Sequence, residues 1–100
     1  GMKDLEGALA DYNKAISLGL KSSAVYFNRG VIFHQKGQLS NAIESYTRSI
    51  EIDPSNAKAY YNRAISKLIV DNYKEALEDL EISKRLGYPK AAEVISQYYN

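Results

Sequence analysis

The sequence repeats itself with a period of 34 residues, the interval that separates Tyr26 from Tyr60. The central copy spans residues 23–56, and shifting it forward or backward by one period brings identical residues into register. The matching pairs are Asn28 with Asn62, Arg29 with Arg63, Ala42 with Ala76, Ala8 with Ala42, and Tyr12 with Tyr46. A period of this length is typical of proteins in which one supersecondary unit stacks on the next. We therefore expect a stack of similar units.

Within each copy, apolar residues recur at spacings of three and four, which predicts amphipathic helices. Glycines 19, 37 and 87, the segment 53–56 and the pair Asp71-Asn72 interrupt the pattern and predict its turns. Six helices are expected, at about residues 3–18 with Asp4 as N-cap, 23–36 with Ser22 or Ser23 as N-cap, 39–52 from Leu39 or after a Ser40 cap, 57–70, 73–86 and 90–99. Such short links favour antiparallel neighbours and leave no room for a sheet, so the fold class is all-α.

Composition excludes several classes of function. The chain is 45% apolar and 25% charged, has no cysteine, and carries 13 basic against 12 acidic residues. These values predict a soluble globular chain without disulfides or thiolate metal sites, and nucleic acid is not an expected partner. There is no apolar run long enough to span a membrane and no secretory signal. We therefore expect no membrane association and a cytoplasmic location.

The chemistry-bearing residues do not form a catalytic pattern. His34 is the only histidine, and it has no acid or second ligand at metal spacing. No glycine-rich phosphate loop and no nucleophile with a base can be identified. We therefore expect no enzyme activity, no catalytic residue, no metal and no cofactor.

Small and large residues alternate at fixed positions, and six of them resemble the pattern of the tetratricopeptide repeat (TPR) family. They are Tyr26, Gly30, Phe33, Ala42, Tyr46 and Pro54. The resemblance implies a short right-handed solenoid of antiparallel helix pairs, forming one domain over residues 1–100. Its parts would be the second helix of a truncated repeat (3–22), two full repeats (23–56 and 57–90) and a C-terminal capping helix (90–99).

Five departures from the family pattern are expected to loosen the second full repeat or its neighbours. Lys67 and Leu80 replace aromatic residues, Ser49 and Ser83 replace alanines, and Pro89 comes one residue late.

The N-terminal half repeat lacks a first helix. Its apolar stripe is therefore expected to be only partly covered by helix 23–36, and it could face water, a missing neighbour or a second copy of the chain. The stripe comprises Leu5, Leu9, Tyr12 and Ile16. We expect homo-oligomers through this end or a natural neighbour that covers it.

The resemblance also implies a peptide-binding groove lined by the first helices of successive repeats. Its residues would be Ala24, Phe27, Asn28, Val31, His34, Gln35, Lys58, Tyr61, Asn62, Ile65 and Ile69. Each first helix therefore has a second apolar face besides the stripe that packs against its neighbour. Either a ligand or a neighbouring helix, including the terminal cap, could cover this second face. The expected ligand is a peptide or an amphipathic helix of an unidentified protein partner.

Polar residues in the repeat allow two readings. Asn28 and Asn62 could hold a peptide backbone or carboxylate, with Lys58 supplying charge. Only Asn28 and Lys58 match the carboxylate clamp of TPR co-chaperones. The alternative is that the two asparagines make local hydrogen bonds within the fold. Arg29 and Arg63 are expected to pair with acids such as Glu44, Glu78 or Asp79. The acidic residues Glu75, Glu78, Asp79 and Glu81 are expected to form a solvated helix face.

These observations support two alternative functions. The first is a non-catalytic protein–protein interaction module that binds a ligand in this groove. The second is a structural or self-associating solenoid segment whose apolar faces are covered by its own copies.

Overall fold

The computed structural model describes residues 2–99, and side chains from residue 4 onward. It contains six α-helices: α1 (Met2–Ser17), α2 (Ser23–Gln35), α3 (Leu39–Ile52), α4 (Ala57–Ile69), α5 (Tyr73–Arg85) and α6 (Pro89–Tyr98). Over the described range the chain forms no strand. The all-α prediction is confirmed. None of these helices is both long and apolar enough to cross a membrane.

The helix starts show which sequence signals act as caps. The Ser22 side chain accepts a hydrogen bond from the Val25 backbone N–H, as expected of an N-cap. Asp4 is not the cap of α1, because that helix already begins at Met2, and Asp4 lies in its first turn, where a carboxylate complements the helix dipole. Neither Ser40 nor any other side chain caps α3, which begins at Leu39.

The turns after α1, α2 and α5 need a left-handed backbone conformation. Gly19, Gly37 and Gly87 adopt φ values of 93°, 77° and 96° at these positions. Glycine reaches this region without a steric penalty, which explains why the helices end there. Pro89 begins α6, one residue earlier than expected, because a proline at the first helical position lacks only an N–H that has no intrahelical partner.

The helices pack in sequence order, with α2 against α3 and α4 against α5 as hairpins, and α3–α4 and α5–α6 contacts joining them. Small residues occupy the tightest contacts: Ala42, Ala59, Ala64, Ala76 and Ala91 are fully buried. Leu80, which stands where an aromatic residue was expected, is fully buried as well and belongs to the same core as Ala64, Ala76 and Ala91. This replacement fills the core with a smaller side chain.

The contact between Gly30 and Tyr46 fixes how closely α2 approaches α3. A β-carbon built on Gly30 would lie 2.6 Å from Cε1 of the Tyr46 ring, well inside van der Waals contact. Tyr46 itself is only 1% exposed. The glycine therefore leaves the space that the aromatic ring occupies.

Two buried serines replace alanine and join the ends of each hairpin. The Ser49 hydroxyl donates to the Ser23 carbonyl at 2.9 Å, and the Ser83 hydroxyl donates to the Ala57 carbonyl at 2.8 Å, one repeat later. Both hydroxyls therefore satisfy a backbone carbonyl in the first turn of the neighbouring helix. These departures from the family pattern add a repeated hydrogen bond.

Arg29 and Arg63 occupy equivalent positions in α2 and α4. Each side chain contacts the second helix of the preceding repeat and the second helix of its own repeat. Arg29 donates to Asn13 of α1 at 3.1 Å and to Ser45 of α3 at 3.0 Å, and its guanidinium lies 3.5 Å from Glu44. Arg63 donates to Thr47 of α3 at 3.1 Å. It also makes a bidentate pair with Asp79 of α5, with distances of 2.7 and 2.8 Å. The expected ion pairs with Glu44 and Asp79 are confirmed.

Asp79 is not part of a solvated face, which corrects the sequence-based expectation. It is 3% exposed and holds both Arg63 and Lys67, with Lys67 Nζ at 2.9 Å. The other three acids, at positions 75, 78 and 81, are exposed as expected. Burial of this carboxylate is tolerated because two cations from α4 compensate its charge.

The Lys67–Asp79 pair replaces a neutral arrangement in the preceding repeat. One period earlier the same positions hold Phe33 and Ser45, where Arg29 contacts the Ser45 hydroxyl and lies 5.8 Å from the centre of the Phe33 ring. In the later repeat a cation and an anion therefore appear together. Lys67 keeps the second full repeat packed through an ionic contact.

The N-terminal helix α1 packs against α2. Leu5, Tyr12 and Ile16 are half-buried, as expected, but Leu9 is only 6% exposed. The prediction for Leu9 was wrong because the packing of α1 against α2 buries the middle of the α1 stripe. Self-association through this end stays a prediction.

Two glycine substitutions test the α2–α3 contact. We expect Gly30→Ala to lower the free energy of unfolding by about 1–3 kcal/mol, because its β-carbon overlaps Tyr46. Gly7→Ala is the matched control: no heavy atom lies within 4 Å of its β-carbon, and it should raise stability by about 0.5–1 kcal/mol. Urea unfolding followed by circular dichroism measures both, and equal effects of the two changes would contradict the packing account.

The buried ionic cluster makes a second prediction. Asp79→Ala should lower the free energy of unfolding by about 3–5 kcal/mol, since it leaves Arg63 and Lys67 without their shared carboxylate. Replacing Glu78, its exposed neighbour, with alanine should change stability by no more than about 0.5 kcal/mol.

Transplanting the residues of the earlier repeat provides the rescue. The double variant Lys67→Phe/Asp79→Ser should regain most of the lost stability, because Arg63 would then meet the partners that Arg29 has. Urea unfolding of all three variants gives the comparison. A double variant no more stable than Asp79→Ala would show that the two positions do not compensate for each other.

Candidate functional site

Two neighbouring first helices, α2 and α4, contact each other and present one face that the hairpins do not cover. On α2 this face carries Phe27, Val31 and His34, and on α4 it carries Tyr61, Ile65 and Ile69, at spacings of three and four residues. Residues at these spacings lie on one side of a helix. We call this surface of α2 and α4, with the two cavities described below, the groove.

A cavity of about 300 Å³ lies between α2 and α4 and opens into the groove. Its lining residues are Val31, His34, Gln35, Tyr46, Tyr61, Asn62 and Ile65. The structure therefore brings six of the eleven sequence-predicted groove residues around one space. The volume lies at the lower limit for a small-molecule pocket and suits one or two side chains of a ligand.

Tyr46 of α3 lines this cavity although the sequence pattern assigned it only to packing. Its ring packs edge-on against Phe27, with ring centres 5.7 Å apart. Burial raises the pKa of the Tyr46 hydroxyl to about 12, and a hydrogen bond with the Asn62 side chain opposes part of that rise. Tyr46 thus connects the packed core to a polar side chain of the groove. The signal that could have revealed it is a tyrosine at a core position, since its hydroxyl needs a partner.

A second cavity, of about 320 Å³, adjoins the first at their shared residue Ile65. Its other lining residues are Leu68, Ile69, Tyr73 and Tyr98, which come from α4, α5 and α6. Ile69 was a predicted site residue and is 53% exposed. Leu68, Tyr73 and Tyr98 were not predicted, because their approach depends on how α5 and α6 pack against α4.

The remaining predicted residues lie at the margin of the groove. Asn28 and Ala24 are exposed on α2 and line neither cavity. Lys58 is exposed too, and its ammonium nitrogen lies 5.8 Å from the centre of the Phe27 ring. This distance permits a weak cation–π contact.

Part of the second apolar face is covered by the chain itself. Tyr61 packs against the core around Leu80, and its ring centre lies 5.0 Å from that of Tyr88, at the start of α6. Burial, followed by the nearby Tyr88 and Glu93, raises the pKa of Tyr61. Val31 and Ile65 are half-buried and are not among the residues packed on that core. Coverage by the capping helix therefore accounts for Tyr61 but leaves the cavities open.

His34 takes part in a local hydrogen bond. Its Nδ1 lies 3.1 Å from the hydroxyl of the buried Ser66 on α4, which orients the ring at the wall of the cavity. In the part of the chain with described side chains, no three histidine or acidic residues group together in a way that could hold a metal ion. The arrangement can contact a ligand through apolar surface and neutral hydrogen-bonding groups.

Comparison with known sequences identifies the family. A family model described as TPR repeat matches residues 32–67. The human Tetratricopeptide repeat protein 6 is 39% identical over 65 residues, which cover 65% of this chain and 12% of that protein. The uncharacterized protein MJ0572 of Methanocaldococcus jannaschii is 31% identical over 75 residues, covering 71% of this chain and 87% of that protein. The chain belongs to the tetratricopeptide repeat family.

One relative is an enzyme. Human Serine/threonine-protein phosphatase 5 is 34% identical over 79 residues, which cover 79% of this chain and 16% of that protein. The chain therefore spans only a small part of either human relative.

Solved structures show the same architecture. The Arabidopsis OM64 TPR domain superposes with a TM-score of 0.84 at 29% identity, covering 95% of this chain and 79% of that chain. The TPR2B domain of yeast Sti1, solved as a complex with pHsp70, superposes with a TM-score of 0.82 at 25% identity, covering 98% and 82%. The fold is an all-α TPR solenoid.

The Tyr46 hydroxyl makes a prediction about alkaline stability. Because its pKa is raised to about 12 in the folded chain, from 10.0, the unfolded chain releases this proton first. The contribution is fully present below pH 10 and is lost as the pH rises toward 12, since ionisation then favours the unfolded chain. We expect the stability of Tyr46→Phe to fall less steeply over this range than that of the wild type. Urea unfolding at several alkaline pH values measures the slopes, and parallel slopes would contradict the assignment.

Proposed function

We propose that the chain is a non-catalytic protein–protein interaction module that holds a peptide or an amphipathic helix of a protein partner in the groove. The observation that carries this proposal is the pair of adjoining cavities on the face of α2 and α4 that hairpin packing leaves open. Val31 and Ile65 stay half-buried there, and Ile69 is 53% exposed. Contiguous exposed apolar surface of this kind marks binding sites, because leaving it in water is unfavourable.

Membership of the TPR family supports the same role. The yeast Sti1 domain, at 25% identity, was solved in complex with pHsp70, so a chain of this architecture can bind a protein ligand. The present groove carries its own set of side chains, and these side chains, rather than the shared fold, determine which protein or peptide it binds.

The chemistry of the groove supports a non-catalytic role. His34 bonds to Ser66, whose hydroxyl is fully buried, and the described side chains contain no cluster of metal-binding residues. The match to phosphatase 5 covers only 16% of that enzyme and gives no reason to assign catalysis to this chain.

The double variant Val31→Ser/Ile65→Ser tests the proposal. Removing two aliphatic side chains from the cavity wall should lower partner affinity by about tenfold or more, because burial of each contributes about 1.5–3 kcal/mol. Tyr61 is unsuitable because it also packs on the core. Capture of partners from a lysate on the immobilised domain, followed by affinity measurement for each captured protein, gives the readout.

The matched control is Ile52→Ser, which makes the same chemical change at an exposed position that lines neither cavity. This variant should capture the same partners as the wild type. Circular dichroism should show all variants folded. If the groove variant and the control bind every partner equally, the groove is not the binding surface.

A second candidate function, self-association, is favoured by the apolar face of α1. Leu5, Tyr12 and Ile16 are half-buried and Leu18 is 77% exposed. On this hypothesis, sedimentation velocity should show a rising sedimentation coefficient between about 10 and 500 µM, concentrations that bracket a dissociation constant near the middle of that range. Tyr12→Ser/Ile16→Ser should abolish the rise. A wild-type monomer at both concentrations would contradict it.

A further inference from the structure

One face of α1 lacks the covering helix that the equivalent face of α3 has. Its four residues, which we call the open face, are half-buried or exposed: Ala8, Asp11, Tyr12 and Ala15. The equivalent residues one period later belong to α3, which packs against α2, and are at most 1% exposed: Ala42, Ser45, Tyr46 and Ser49. The open face therefore has the positions of a helix contact that the described residues do not complete.

An adjacent side of α1 already makes the contact that joins successive repeats. Asn13 accepts a hydrogen bond from Arg29 of α2 at 3.1 Å, as Thr47 of α3 does from Arg63 of α4 one period later. Leu9 is 6% exposed. The side with Leu9 and Asn13 is thus occupied by α2, and the open face is left to another helix.

Asp11 gives the open face a charge requirement. Its counterpart in the second full repeat is Asp79, whose carboxylate makes a bidentate pair with Arg63 at 2.7 and 2.8 Å. In the first full repeat the counterpart is Ser45, and its hydroxyl accepts a hydrogen bond from Arg29 at 3.0 Å. Both covering helices therefore aim an arginine at this position. A helix that covers the open face buries Asp11, and an arginine at the same helical position compensates its charge.

Tyr12 gives the open face a steric requirement. Its counterpart Tyr46 lies against Gly30, where a β-carbon would approach the ring to 2.6 Å. In the second full repeat the counterpart is the smaller Leu80, and the residue that follows the arginine is Ala64. Tyrosine is thus combined with glycine, and leucine with alanine. Because α1 carries the tyrosine, the covering helix requires glycine directly after its arginine.

Ala15 makes the charge pair the principal polar contact of the open face. At the equivalent positions the Ser49 and Ser83 hydroxyls donate to a backbone carbonyl in the first turn of the covering helix. Alanine has no hydroxyl, so this hydrogen bond cannot form on α1. Binding to the open face should therefore weaken as salt rises, since salt screens a charge pair that is not deeply buried.

A second copy of the chain does not supply a suitable helix. Its α2 and α4 contain arginine followed by a small residue, but these faces already cover α3 and α5. Its α6 carries Gln97 and Tyr98 where α4 carries Arg63 and Ala64. A tyrosine at that position would meet the ring of Tyr12. A helix of another protein fits these requirements better.

We propose that the open face of α1 binds an amphipathic helix of a partner protein that contains arginine followed by glycine. The arginine pairs with Asp11, and the glycine lies against the ring of Tyr12. The open face is separate from the groove, so this inference is independent of the groove function.

The probe is a synthetic peptide with the sequence of residues 22–36 of this chain and blocked ends. It contains Arg29 and Gly30, and in the structure this segment forms α2, which covers the equivalent face of α3. The peptide is titrated into the isotopically labelled protein, and backbone amide shifts give both the affinity and the place of binding.

We expect the largest shifts at Ala8, Asp11 and Tyr12, with the amides of Val31 and Ile65 in the groove unchanged. Raising the salt concentration from about 0.05 to 0.5 M should lower the affinity severalfold, because the arginine–carboxylate pair is then screened.

Charge reversal tests the ion pair. Asp11→Lys should weaken peptide binding by about tenfold or more, since it removes a charge-assisted hydrogen bond and adds repulsion. The peptide variant Arg29→Glu should restore binding to this protein variant. Glu78→Lys makes the same charge change at an exposed position of α5 and should alter the affinity by less than about twofold. Circular dichroism should show both protein variants folded.

The glycine is tested by a change whose steric effect opposes its effect on helix formation. The peptide variant Gly30→Ala forms a helix more readily, which alone would tighten binding by about fivefold. The overlap with Tyr12 predicts weaker binding instead. In the Tyr12→Leu protein, which reproduces the combination of Leu80 with Ala64, the alanine peptide should bind more tightly than the glycine peptide.

Four outcomes would overturn the inference. Shifts confined to the groove would place the peptide there and leave the groove function standing. Binding on α1 that is insensitive to charge reversal, or that the alanine peptide improves in the wild type, would refute the requirement for arginine and glycine. No binding up to about 1 mM peptide would refute a helix site on this face. A dimer of the protein alone that Asp11→Lys abolishes would assign the face to a second copy.

Discussion

The close approach of α2 and α3 at Gly30 and Tyr46 underlies much of this structure. Without a β-carbon on Gly30, the ring of Tyr46 lies directly on the backbone of α2. The same ring packs against Phe27, and it lines the first cavity together with Asn62 of α4. One side chain therefore sets the spacing of a hairpin and joins it to the next repeat at the groove.

Comparison of the two full repeats shows which features the fold needs and which it can exchange. Arg29 and Arg63 keep the same position and both bridge to the preceding and following second helices. Their surroundings differ, because Phe33 and Ser45 in one repeat correspond to Lys67 and Asp79 in the other. Because Lys67 and Asp79 appear together, their opposite charges compensate each other. A change at only one of the two positions would leave a buried charge without its partner.

Much of the fold could be predicted because its signals are local. Gly37 and Gly87 end helices through their own backbone freedom, and Ser22 caps α2 through a contact three residues away. Burial of Asp79 could not be predicted from helical periodicity, since it depends on cations that another helix supplies.

The candidate site was predictable to a similar extent. Val31, Asn62 and Ile65 were expected in the groove from the resemblance to the TPR family, and they line one cavity. Tyr73 and Tyr98 were missed because they reach the second cavity only through the packing of α5 and α6. The contribution of Tyr46 to the first cavity was missed because core packing is a sufficient reason for an aromatic ring at this repeat position. The sequence pattern does not indicate that the same side chain also lines the groove.

We propose that ligand binding uses the face of α2 and α4 that packing leaves open. The most direct test is a map of backbone amide chemical shifts by NMR during titration with a binding segment of a captured partner. If the groove holds the ligand, the largest changes lie at Val31, Asn62 and Ile65. Largest changes on the exposed faces of α3 and α5, with the groove amides unchanged, would contradict it.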